Sequence, residues 1–217
     1  MDIQDTNTNL IFDATDVATL SFYSCVEGTE TTNGSMSLTI NSNSGAGTTQ
    51  SPLVESISMS FSSFSVVDTA PTPDETTSLN GSITLGTSNN GTTLAVTMSG
   101  ASFSMTSSSD GTFTLKNYSI SYSDDSVSTT PTGAYSFSVT MTIDCAALNG
   151  YIDITTPTPF TGTGTGNPTA GEMLISGANN SWLKITAKSD GSGATITVND
   201  GTGGTQPAPY DVTWDQI

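Results

Sequence analysis

The stretch YSFSVTMTI sets five apolar side chains, Tyr135, Phe137, Val139, Met141 and Ile143, at odd positions. Four small hydroxyls, Ser136, Ser138, Thr140 and Thr142, stand at the even ones. Successive side chains of an extended chain point to opposite faces. The pattern therefore fits a strand with one apolar face, not a helix, whose faces repeat near 3.6 residues. The same alternation recurs in SMSLTI, SISMSFSSFSVV, GSITL, TTLAVTMS, ASFSMTS, TFTLKNYSISYS, YIDITT, EMLIS, WLKITAK, ATITV and YDVTW. Two of these segments change phase midway, at Ser62-Ser63 and Lys116-Asn117, as a β-bulge would cause.

Turn chemistry agrees. Seven Asn-Gly or Asp-Gly pairs punctuate the chain: Asn33-Gly34, Asn80-Gly81, Asn90-Gly91, Asp110-Gly111, Asn149-Gly150, Asp190-Gly191 and Asp200-Gly201. Such pairs accept the positive φ angles of tight hairpin turns. Together these signals predict an all-β fold of roughly eleven to thirteen antiparallel strands, a β-sandwich or a partly closed barrel built of hairpins. Only DATDVATL offers a helical turn or two, capped by Asp13. A turn-plus-strand unit recurs as NGSMSL, NGSITL, DGTFTL and NGYIDI, too irregularly spaced for a regular solenoid. A main β domain over 1–156, a Thr/Gly/Pro-rich loop or linker over 157–171 and a C-terminal β subdomain over 172–217 are expected, or one continuous domain. The core is expected from Ile57, Met59, Phe61, Leu94, Val96, Met98, Phe113, Leu115, Tyr118 and Ile120 together with the odd positions of YSFSVTMTI.

Charge excludes whole classes of function. Twenty acidic residues face three lysines, Lys116, Lys184 and Lys188, for a net charge of −17, with no Arg and no His. Phosphate backbones and anionic membrane surfaces are repelled, so no nucleic-acid partner is expected. Ser-His and Cys-His nucleophiles and the usual zinc sites need a residue this chain lacks. Paired carboxylates could still hydrolyse glycosides, but sugar clefts are lined by several aromatics and the only tryptophans are Trp182 and Trp214. The expectation is a protein that is not an enzyme. Acidic residues fall mostly in loops, as at Asp74-Glu75 and Asp124-Asp125. This leaves Ser136, Ser138, Thr140 and Thr142 on a wet, uncharged face. That face is either plain solvent surface or a contact surface for carbohydrate, ice or a neighbouring subunit.

Cys25 and Cys145 are the only cysteines. Cys145 continues the inward phase of its strand, and in an exported chain two such thiols are expected to form a disulfide, adding about 4 to 5 kcal/mol by loop closure. Asn199, Asp200 and Asp211 stand in VNDGTGGTQPAPYD, a reduced version of a calcium loop. Calcium wants six to eight oxygens, and only two carboxylates are present, so an ordinary hairpin competes with a bound ion and no other cofactor is expected. Met36, Met59, Met98, Met105, Met141 and Met173 mostly hold apolar phase. They suit ordinary core gaps or an adaptable lipid cavity.

The last third, about 149–217, resembles the tail of uncharacterised β-rich exported proteins and lipoproteins of Gram-negative bacteria. The likeness lies in GYIDITTPTPF, GEMLISGANNSWLKITA, ATITVNDGTGG and YDVTW. Relatives of this kind carry a fuller Asp/Asn-Gly-Asp-Gly loop before the final Trp strand, here reduced to Asn199-Asp200-Gly201. The resemblance implies an extracytoplasmic compartment: secreted, periplasmic or outer-membrane cell surface. MDIQDTNTNL has neither a basic start nor an apolar run, so it reads as a mature N-terminus whose leader, with any lipid-anchoring cysteine, was removed. No transmembrane helix is expected. A transmembrane barrel is disfavoured by uneven strands without aromatic girdles. The functional expectation is a structural or cell-surface interaction protein: an adhesin-like module, an envelope component or a subunit of an extracellular assembly. Its partner would be a second copy or a cell-surface molecule. A carbohydrate- or lipid-binding β module is the alternative, and a carboxylate hydrolase the third.

Overall fold

The alternation seen in the sequence is realised strand after strand in one antiparallel meander. A computed structural model describes residues 2–9, 12–125, 133–145 and 150–217. The strands are β1 (Asp2–Gln4), β2 (Val17–Glu27), β3 (Glu30–Ser44), β4 (Leu53–Asp68), β5 (Glu75–Asn89), β6 (Leu94–Ser107) and β7 (Gly111–Asp124). They continue as β8 (Ala134–Cys145), β9 (Gly150–Thr163), β10 (Ala170–Ser176), β11 (Trp182–Ala187), β12 (Ala194–Asn199) and β13 (Tyr210–Val212). Each pairs with its neighbours in sequence, giving one 13-stranded sheet in the order β1 to β13. No β1–β13 pairing closes it. The expected all-antiparallel β fold is what the chain adopts, as a single open sheet. Two short 3-10 turns, Ala178–Asn180 and Trp214–Gln216, are the described helical elements.

DATDVATL is not helical. Its Val17 to Leu20 enter β2, where pairing with β1 and β3 suits the β-branched and aliphatic run. Residues 157–163 belong to β9, which pairs with both β8 and β10, so the loop expected over 157–171 shrinks to 164–169.

Long strands need places to bend. The phase changes read at Ser62-Ser63 and Lys116-Asn117 coincide with register shifts between Phe61 and Phe64 and between Lys116 and Ser119. Ser63 and Asn117 take positive φ there, as does Ser24 in β2. The pairs Asn33-Gly34 and Asn80-Gly81 are part of the same device, not hairpin turns: they lie inside β3 and β5. Asn33 Oδ1 accepts the Ser24 amide at 2.8 Å, and Asn80 Oδ1 accepts the Ser63 amide at 3.0 Å. Each asparagine satisfies a backbone donor that the bulge takes out of the ladder. The glycines leave room for rings to meet across the strand between them. Phe22 of β2 reaches Phe64 of β4 at 5.5 Å across Gly34, and Phe61 of β4 reaches Phe103 of β6 at 5.9 Å across Gly81. Asn90-Gly91, Asp110-Gly111 and Asp190-Gly191 do lie at chain reversals, and Asp200-Gly201 opens the loop leaving β12. Asn149 lies outside the described residues.

The core is not where the alternation alone placed it. Phe160, Ile185, Ala194 and Ile196 are buried, packed by Phe137, Met173, Leu183, Val198, Val212 and Trp214. Of the core residues expected outside YSFSVTMTI, only Tyr118 is fully enclosed, at 2% exposure, while Ile57 and Val96 stay 38% and 40% exposed. All lie on the apolar face. Over β4 to β6 none of the described residues forms a second layer on that face, whereas at the C-terminal end the chain folds back over it. Tyr118 is enclosed because it lies across Gly100 of the neighbouring strand and donates its hydroxyl to Ser82 O at 2.6 Å.

Candidate functional site: a hydroxyl wall and an apolar cavity

The two faces of the sheet offer two different chemistries. On the polar face, Thr39, Ser58, Thr84, Ser99, Ser119, Thr140 and Thr155 stand abreast from β3 to β9, one hydroxyl per strand. The next rung carries Ser42, Ser56, Gly86, Thr97, Ser121 and Ser138, and the one beyond Ser44, Val54, Ser88, Ala95, Ser123, Ser136 and Thr161. None of these positions is charged. Neighbouring hydroxyls bond across strands: Ser37 to Ser60 at 2.6 Å, Ser58 to Thr84 at 2.8 Å and Ser121 to Ser138 at 2.6 Å. Each pair uses one proton, so the second proton and the spare lone pairs are available to water or a partner. Thr142 differs from its three companions. It sits between Lys116 and Asp153 and donates to the Asp153 carboxylate, so the uncharged surface ends at Thr140.

On the apolar face, the residues after β13 turn back over the sheet and border an open-mouthed cavity of about 400 Å³. Strands β7 to β9 line it with Tyr122, Tyr135, Phe137 and Phe160, and β10 and β11 add Met173 and Ile185. Pro168 of the loop before β10 and the C-terminal Trp214 and Ile217 complete the wall. Tyr122 and Tyr135 stack at 6.5 Å, and Phe160 meets Trp214 edge-on at 6.0 Å. Burial pushes both tyrosine hydroxyls above their ordinary pKa. The alternation pointed to Tyr135 and Phe137. It gave no sign that Trp214 leaves the strand phase of YDVTW and lies across Phe160, because β13 ends at Val212.

The cysteine expectation is corrected. Cys25 and Cys145 are unpaired. They stand on β2 and β8, six strands apart along the sheet, or about 29 Å at the usual strand spacing, against the 4.4–6.8 Å between Cα atoms that a disulfide needs. Cys25 is exposed and Cys145 half-buried. Two free thiols are therefore expected: alkylation of unreduced protein should add two labels by intact mass, Cys25 first. Cys25→Ser and Cys145→Ser should each shift stability by less than a lost disulfide would.

The oxygens of the C-terminal calcium expectation do not converge. Asp211 pairs with Lys188 at 2.9 Å and accepts Thr195 Oγ1 at 2.8 Å, at the opposite end of β12 from Asn199. Asp200 instead accepts the Thr202 amide at 2.9 Å and Gln206 Nε2 at 3.0 Å, and Asn199 accepts the Gly201 amide. Among the described residues no cluster of three or more metal-ligating side chains occurs, and no helix is long and apolar enough to cross a membrane.

All three cations are engaged, Lys116 with Asp144, Lys184 with Glu172 and Lys188 with Asp211. The pairs are solvent-exposed and worth little each. Hydrogen bonds lower several carboxyls below the ordinary aspartate range: the Asp13 amide then the Thr6 amide at Asp16, the Ala70 amide at Asp68, the Ser192 amide at Asp190 and the Thr202 amide at Asp200. Lys188 does so at Asp211. A carboxyl lowered in the folded state adds stability that is present above the unfolded value near ~3.9 and lost as pH falls through the folded one. Between neutrality and that point, protonation of the other acids relieves self-repulsion from a net charge of −17. Calorimetry from pH 7 downward should show a melting temperature that holds or rises to about pH 4 and then drops. A steady fall from neutrality would contradict these assignments.

Compared with known protein families, curated proteins and solved structures, the chain matches none.

Proposed function

We propose that this protein is a non-enzymatic structural or surface-interaction protein, working outside the cytoplasm as an adhesin-like module, an envelope component or an assembly subunit. Its contact surface is the hydroxyl face. The observation that carries this reading is the rung of seven consecutive Ser and Thr positions from Thr39 to Thr155, followed on one side by two further uncharged rungs, in a chain of net charge −17. An uncharged wall can approach a second acidic copy without desolvating a carboxylate, which would be costly.

The sheet edges favour contact through the face. The outer strands β1 and β13 are three residues each and carry Asp2 and Asp211, a short, charged edge that discourages strand addition. Three rungs over seven strands cover roughly 700 Å², a little under the ~800 Å² per partner in a standard stable interface. A hydroxyl surface of this size without aromatic anchors makes one such contact weak. Repeated across many copies it becomes strong through multivalency, which suits an array better than a tight dimer.

Ser138→Lys with Thr140→Lys tests this. Thr140 is exposed and Ser138 half-buried with its hydroxyl bonded to Ser121, so unfolding free energy should fall by no more than about 1.5 kcal/mol. Sedimentation across a concentration series should show self-association in the parent and its loss in the variant. A parent that stays monomeric at the highest concentration, or a variant that associates equally well, overturns the reading. A large loss of stability would mean the hydroxyl face is covered within the molecule.

A further inference from the structure

We propose that the cavity beneath the C-terminal turn is a binding site for an uncharged, elongated apolar molecule that carries a hydrogen-bond acceptor, such as an ester or ketone on a medium-length chain. The space of about 400 Å³ is far larger than the voids of a packed interior and within the range of small-molecule sites. Its nine lining residues are apolar or aromatic and none is charged. An apolar lining of this kind favours apolar guests, whose burial removes both surfaces from water.

The polar detail selects the head of the guest. The Tyr122 hydroxyl donates to Asp124 at 3.0 Å and the Tyr135 hydroxyl to Gly166 O at 2.9 Å, so both phenolic protons are committed. Trp214 Nε1, in contrast, is buried with no hydrogen-bond partner among the described residues. A buried, unpaired donor is costly, and an acceptor brought in by a guest relieves that cost. The indole N–H presents no surface to the cavity, so the guest's acceptor must shift the terminal turn that Trp214 anchors on Phe160. An anionic head is disfavoured: the Asp124 carboxylate stands beside Tyr122, no cation lines the cavity, and the three lysines are paired elsewhere.

Three probes of equal chain length test this: methyl decanoate, decane and decanoate. Binding is read from the indole N–H resonance of Trp214, assigned with Trp182→Phe, and from titration calorimetry. The expected result is saturable binding of one methyl decanoate per chain, about tenfold tighter than decane, with a downfield shift of the Trp214 indole proton. Decanoate should bind more weakly than its ester. Trp214→Phe should abolish the preference for ester over alkane while decane still binds, and Met173→Trp, filling the cavity, should weaken all three. Should either variant fail to fold, the indole shift and the order of the three probes on the parent protein decide alone. No saturable binding, an ester no better than the alkane, or decanoate as tight as the ester overturns the proposal. These outcomes are independent of the hydroxyl face and of self-association.

Discussion

Replacing Tyr118 with alanine is expected to lower the unfolding free energy by about 3–5 kcal/mol, the usual cost of removing a buried aromatic ring. Tyr118 is the largest fully buried side chain described. Its ring covers Gly100, where an added Cβ would lie 2.3 Å from the Tyr118 hydroxyl, and its proton goes to Ser82 O two strands away. The residue thus ties β5, β6 and β7 together by a route independent of the backbone ladder. Tyr118→Phe keeps the ring and should cost only about 1 kcal/mol, the net worth of one hydrogen bond. Ile57→Ala is the control. At 38% exposure Ile57 should cost clearly less than Tyr118→Ala. Denaturant unfolding of the three variants orders them. Equal losses for Ile57 and Tyr118 would show that something covers the apolar face over β4 to β6 in solution.

The second large effect is expected at Gly81. A Cβ there would sit 2.2 Å from Ser102 O and 2.8 Å from Phe103 Cα, and the residue holds φ at 107°. Gly81→Ala combines a backbone conformation unsuited to L residues, about 1–2 kcal/mol, with forced separation of β5 from β6, about 1–3 kcal/mol. A loss of roughly 3 kcal/mol is expected, together with loss of the Phe61–Phe103 contact. Asn80→Ala acts more gently, because it removes only the acceptor for the Ser63 amide. Gly28→Ala provides the comparison. Its φ is also positive, at 60°, but nothing lies within 4 Å of an added Cβ, so only the conformational part of the cost should appear. If Gly81→Ala and Gly28→Ala melt alike, the close approach across Gly81 contributes nothing.

The same Asn-Gly dipeptide marks how far local pattern reaches. At Asn90-Gly91 the chain turns back, while at Asn80-Gly81 it runs straight through a strand with its asparagine bonded to the bulge beside it. Both sites have a residue pair that tolerates positive φ. What separates them is whether the neighbouring strand carries a bulge at that level, and that depends on residues, such as Ser63, far away in the chain. The hydroxyl face was legible for a related reason. Strand pairing in register sets like positions side by side, so a Ser/Thr alternation within each strand becomes a rung across many.

Period-two alternation and turn residues were sufficient to indicate an antiparallel all-β chain of roughly eleven to thirteen strands, both phase changes and the identity of the two faces. Each of these follows from contacts between near neighbours along the chain or across one hairpin. The unbroken order of the single sheet came from the structure. The state of the cysteines, the position of the core and the cavity were decided only by tertiary structure. Cys25 and Cys145 both read as strand residues, and nothing local tells that six strand spacings separate them. The apolar face reads much the same from β4 to β9, yet burial concentrates where the chain after β13 folds back. That return sets Trp214 against Phe160, 54 positions earlier in the sequence (214 − 160), by a contact no periodicity encodes.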